Sequence, residues 1–141
     1  MEDTLPCGNV MQSPEDYVQL LSRTSGLPHN MCRANMAKVF SVMDEMPTIL
    51  KGLTRSLDLS VLDKGCIVQD GVGISYACDA DSLGVVLPSN SPGVNSLWIP
   101  AVVLKVPVIL KPGREEPWTP LRLMQALIAA GCPKEAFGFY A

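Results

Sequence analysis

Two short stretches carry the residues best suited to chemistry. Pro88-Ser89-Asn90-Ser91-Pro92-Gly93 sets a carboxamide between two hydroxyls. With backbone N–H groups leading into a following helix, such a set can stabilise an oxyanion or hold a pyrophosphate. Lys111-Pro112-Gly113-Arg114-Glu115-Glu116 places two cations and two carboxylates around a proline-glycine turn. A lysine that closes a buried strand can reach a ribose or phosphate oxygen. Neither stretch is a G-x-G-x-x-G or a P-loop, so the standard dinucleotide and ATP fingerprints are absent. The residues alone leave two readings open: a nucleotide-binding α/β half, or ordinary loops at strand ends.

Other chemistry has less support. The single histidine, His29, lies between Pro28 and Asn30 ahead of a helical pattern and reads as a surface cap position, which leaves no base for a Ser-His-Asp triad. The five cysteines (Cys7, Cys32, Cys66, Cys78 and Cys132) are odd in number and scattered, with no C-x-x-C. Neither a metal site nor a disulfide framework is expected from them, only buried free thiols. The 141 residues are 48% hydrophobic and 18% charged, which suits one domain with a real core and excludes disorder. Lys and Arg number 11 against 14 Asp and Glu, a net charge of −3 that argues against a nucleic-acid partner. The opening Met1-Glu2-Asp3 has no basic n-region, and the apolar stretch Leu97 to Leu110 is broken by Pro100, Lys105 and Pro107. A cytoplasmic protein with no membrane contact is expected.

The elements that must position the two stretches can be read from periodicity. After a loose polar start, Ser13 caps a helix with Pro14 at its first position and acids in its first turn, ended by Gly26. Tyr17, Leu20 and Leu21 form its apolar stripe. Asn30 can cap a second helix in which Met31, Ala34, Met36, Ala37, Val39, Phe40 and Met43 recur as core filler, and Pro47 opens a third. Residues 1–70 therefore read as a mostly helical segment. In residues 71–141 the period changes. Val72 to Cys78 alternates as a strand and pairs with the apolar run Leu83 to Leu87, a strand expected to be buried on both faces. Val94 to Leu104 reads as a helix and Val106 to Leu110 as a second buried strand. Thr119 caps a helix that Gly131 and Pro133 end, and Phe137 to Tyr140 begins another strand. Strand, helix, strand, helix, strand is the first half of a doubly wound, Rossmann-like parallel sheet, here preceded by a helical segment and a strand pair. Ligands of such sheets sit beyond the carboxyl ends of the strands, where both stretches fall.

Several residues in fixed order resemble the aldehyde dehydrogenase superfamily. They are Pro88-Ser89-Asn90-Ser91-Pro92, Trp98, Pro100-Ala101, Val108-Ile109-Leu110-Lys111-Pro112, Pro117, Thr119, Leu121-Arg122-Leu123 and Ala130-Gly131-Cys132-Pro133. The order runs without a gap from Leu83 to Phe139 and is similar to the first part of that family's cofactor domain. The acylating, acyl-CoA-reducing branch shares the scaffold.

The resemblance implies an NAD(P)-dependent oxidoreductase acting on a small aldehyde or acyl substrate. Asn90 would stabilise the oxyanion of the thiohemiacetal and thioester steps, and Lys111 would bond the adenosine ribose. Leu87, Pro88, Ser89 and Trp98 would line the approach of cofactor and substrate, with Gly113 and Arg114 completing the cofactor-binding set. Arg114 stands where the family usually has an acidic ribose ligand, which favours NADP over NAD, unless Glu115 shifts into that role. Lys105 and Val106 replace a typical glycine-asparagine pair. The family's nucleophilic cysteine, general base and second nucleotide-contacting helix would all fall after Ala141. The chain is thus expected to be the N-terminal portion of such an enzyme, inactive by itself. The alternatives are a non-catalytic nucleotide-binding remnant or partner subunit, working with a second chain or as a homo-oligomer, and an unrelated small α/β binding module.

Overall fold

The computed structural model describes residues 3–140. Strands β1 (Leu5–Cys7) and β2 (Val10–Gln12) form an antiparallel hairpin that begins at Leu5, within the first six or so residues expected to be loose. Leu5 and Gln12 are buried, and the Arg122 guanidinium donates to the Gln12 carbonyl at 3.0 Å. Tertiary bonds thus hold a hairpin that the local sequence does not announce.

Helix α1 (Pro14–Ser25) begins as read from the sequence. Asp16 N–H donates to Ser13 Oγ at 3.1 Å, Ser13 N–H donates back to the Asp16 carboxylate at 2.9 Å, and Gly26 ends the helix at φ 74°. It buries Tyr17, Val18 and Leu21, so Val18 takes the place assigned to Leu20. Helix α2 (His29–Asp44) starts one residue before Asn30, with Pro28 at its cap. Its core side is Cys32 and Val39, with Met36 and Met43 packed against the interior, while Met31 and Phe40 are about half exposed. The reason is geometric: Met31, Ala34, Ala37 and Phe40 recur every three residues, and on a helix with 3.6 residues per turn that row winds off any single face. Helix α3 (Met46–Leu53) carries Pro47 in its first turn, and the short α4 (Val61–Lys64) follows.

Strands β3 (Cys66–Gln69) and β4 (Val72–Ser75) make a separate antiparallel hairpin. The strand expected to span Val72 to Cys78 is therefore shorter, and it pairs backwards with β3 rather than forwards with the next strand. Asp70 and Gly71 at φ 52° and 77° explain this, because a two-residue turn with both central residues left-handed matches the twist of a tight hairpin.

The rest is a mixed α/β unit around a parallel sheet of order β5 (Leu83–Val86), β6 (Val108–Lys111), β7 (Phe137–Phe139). The expectation that Leu83 to Leu87 is buried on both faces is corrected: β5 is an edge strand, with Leu83 41% and Val86 81% exposed. In β6, Val108 and Leu110 are fully buried while Ile109 between them is half exposed, so one face of the sheet is covered. The link from β5 to β6 is a 3₁₀ turn (Pro92–Leu97) followed by α5 (Ile99–Val103), not one helix over Val94 to Leu104. Pro100 has no N–H to continue an incoming helix, and instead sits in the first turn of a new one. Lys105 adopts φ 64° and pairs with Asp63. Helix α6 (Trp118–Ala129) starts with Pro117 at its cap, and Thr119, expected there, lies two residues inside.

Val108, Leu110, Trp98, Ile99 and Leu123 pack with Val39, Met46 and Leu50, so one core draws on both sides of residue 70. A second cluster joins Tyr17, Val18, Leu21 and Cys32. Among the described residues no helix is long and apolar enough to cross a membrane.

Candidate functional site at the carboxyl ends of the parallel strands

Because β5 and β6 run parallel with Val86 opposite Lys111, their two outgoing loops start side by side. Leu87 N–H donates to the Lys111 carbonyl at 2.9 Å, extending the pairing by one residue before the chains part. The loops then interlock. A Cβ at Gly113 would stand 2.5 Å from Ser89 Oγ, 2.6 Å from Ser89 N and 2.7 Å from the Pro88 carbonyl carbon, so only glycine fits. Glu115 N–H points at Ser89 Oγ at 3.4 Å, and the Ser89 hydroxyl holds the Glu115 carboxyl below its ordinary value.

The structure thus brings Leu87, Pro88, Ser89, Lys111 and Gly113 into one edge. Asn90 and Arg114 lie on the same two loops with exposed side chains. Trp98 does not join them. Its ring is in the core, 2% exposed, and its indole N–H donates to Asn95 Oδ1 at 3.1 Å.

Beneath this edge lies a polar network that sequence reasoning missed. Glu116 is fully buried. Its Oε1 accepts from Thr119 N–H at 2.8 Å and from Thr119 Oγ1 at 2.6 Å, so the acid before Pro117 supplies the cap assigned to Thr119 itself. Its Oε2 faces the Asn95 amide at 3.5 Å. Burial pushes the Glu116 carboxyl up, against the bonds from Thr119 and Asn95 that pull it down. With its own proton given to Glu116, the Thr119 hydroxyl accepts from the Tyr17 hydroxyl at 2.7 Å, and burial raises that phenol. Arg122, also buried, lies 5.6 Å from the centre of the Tyr17 ring and donates to Gln12 and to the Asp3 carbonyl. An acid directly before a helix start was a usable signal for Glu116. Arg122 had none beyond being the one cation on an apolar helix.

Neither loop contains a cysteine. Cys132 stands between α6 and β7, and because β7 is parallel to β6 that link is at the opposite end of the sheet. There it borders a largely apolar groove of about 660 Å³ with Val102, Val106, Pro107 and Leu127. All five thiols are free, but only Cys32 is buried and Cys66 and Cys78 are exposed, which corrects the expectation of five buried thiols. No group of His, Cys, Asp and Glu among the described residues could hold a metal ion. The chain matches no protein-family model, no curated protein and no solved structure.

The edge offers an exposed amide at Asn90, the exposed cations Lys111 and Arg114, and the Glu115 carboxylate bonded to the Ser89 hydroxyl. Such a set can bind a ligand that combines hydroxyls with negative charge.

Proposed function

We propose that this chain carries the cofactor-facing part of an NAD(P)-dependent oxidoreductase for a small aldehyde or acyl-CoA, built on a Rossmann-like sheet and working in the cytoplasm. The observation that carries the reading is the interlocking of the two strand-end loops at Ser89 and Gly113, which holds Asn90 and Lys111 to one edge. The donor set fits the cofactor. Lys111 and Arg114 suit ribose hydroxyls and phosphates, and the Asn90 amide suits a carbonyl oxygen that gains negative charge during reaction. Bound there, NAD(P) supplies the hydride acceptor, while these residues bind, orient and stabilise charge. Trp98 serves the edge from within, by holding Asn95. Arg114 favours a 2′-phosphate, and Glu115, fixed by Ser89, favours a free ribose hydroxyl, so the two cofactors are to be compared directly.

A second reading, a nucleotide-binding chain without catalysis of its own, is favoured by the absence of a thiol from both loops. Aldehyde-to-thioester chemistry needs an activated thiolate facing the oxyanion donor. In this reading another chain, or a second copy, is the functional partner. Calorimetric titration with NAD and with NADP tests both readings. Saturable binding that Lys111→Ala weakens supports a cofactor edge in either reading; aldehyde-dependent reduction of the cofactor by the protein purified from its native source, but not by this chain alone, favours the first over the second. No saturable binding of either nucleotide overturns both.

A further inference from the structure

We propose that Glu116 is a positioning residue that couples the two loops, so that the donors of one and the cations of the other meet a ligand as a single edge. What the edge binds rests on the nucleotide reading above; the coupling does not.

One oxygen of the Glu116 carboxylate is committed to the start of α6 through Thr119. The other reaches across to Asn95, in the 3₁₀ turn that follows the first loop. The Asn95 amide also donates to the Pro92 carbonyl at 3.0 Å, and its oxygen is taken by the Trp98 indole. Asn95 therefore has no slack: each end of its carboxamide is fixed, and Pro92 is fixed with it. In the second loop, an isolated antiparallel bridge between Gly113 and Glu116 closes the backbone on itself, so the position of Glu116 sets that of Gly113 and Arg114. At the rim, Gly113 then presses on Ser89.

Asn90 consequently sits between two anchored points. Ser89 is held at the rim by Gly113, and Pro92 from below by Asn95. Both anchors trace back to Glu116. The rim contact is open to water, whereas Glu116 and Thr119 are no more than 1% exposed and so is Asn95. Losing one acceptor oxygen there leaves a buried donor unpaired.

The test is amide hydrogen exchange on the full chain, comparing wild type, Glu116→Gln and Asn95→Ala. Glutamine keeps the size of Glu116 but has one acceptor oxygen, so its N–H₂ must face either the Thr119 donors or the Asn95 amide. Exchange is expected to quicken about tenfold or more in both loops, 88–97 and 111–116, in either variant. The β3–β4 hairpin, which shares no bond with the network, keeps its wild-type rate. If each variant loosens only its own loop, or if the whole chain loosens uniformly, the coupling is wrong. Should Glu116→Gln not fold, Asn95→Ala leaves the Thr119 bonds intact and decides alone, by whether residues 111–116 loosen with it. In the same preparations, affinity for NAD or NADP is expected to fall about tenfold with both loops' protection. If wild type binds neither nucleotide, the nucleotide reading fails while the exchange result still decides the coupling.

Discussion

Glu115 and Glu116 are neighbours in the chain and opposites in their surroundings. Glu115 is exposed, and the Ser89 hydroxyl holds its carboxyl below the ordinary value. Its contribution to stability is present above that ordinary value and fades as pH falls through the lowered one. Glu116 runs the other way. Burial raises it, so ionising it opposes folding, and the stability tied to it is full below the ordinary carboxylate value and declines as pH rises through the raised one. Urea unfolding of wild type and Glu116→Gln across this range should therefore show wild type losing ground to the variant as pH climbs between those two values. Above and below that window the gap should be flat; a gap that is flat throughout removes burial as the cause. The contrast also marks what residue-level reading can do. Asn90 and Lys111 stand out in the sequence because loops at strand ends advertise exposed polar groups. Glu116 does not, because its role depends on Asn95 and Thr119, brought to it only by folding.

At the scale of elements, local chemistry was the better guide. The start of α1 follows from Ser13, Pro14 and Asp16 alone, and the structure completes it with a reciprocal pair of bonds. Ser13→Ala should lower stability by about 1 kcal/mol in thermal or chemical unfolding, while Ser13→Asn should lose little. An unchanged midpoint for the alanine variant would mean that tertiary contacts alone hold the helix. Other elements depend on two adjacent signals that point in different directions. Asp70-Gly71 marks a tight hairpin, yet the alternation of Val72 to Cys78 drew the pairing forward to Leu83. Pro100 lies inside the apolar run Val94 to Leu104, and a residue without an N–H divides that crossover in two.

Across the whole molecule, the parallel sheet and its helices were readable because their apolar runs are separated by clear breakers. Which face of each strand is covered was not. A continuous run such as Leu83 to Leu87 reports apolar character, not the number of neighbours, and β5 lies at an edge. The two outer faces of the prediction follow from this: Leu110→Ala, in the covered layer, should cost about 2–5 kcal/mol, whereas Val86→Thr should stay within about 0.5 kcal/mol. Comparable losses at both positions in chemical unfolding would mean that β5 is covered in solution. The Arg122 bonds to Gln12 and to the Asp3 carbonyl carry a consequence for biosynthesis. A ribosome makes the β1–β2 hairpin well before the guanidinium that satisfies it, which comes 110 residues after Gln12. The hairpin must wait for that cation until α6 has left the exit tunnel. Any pause in translation before Arg122 prolongs that wait, so the order of synthesis and the order of completion run in opposite directions along this protein.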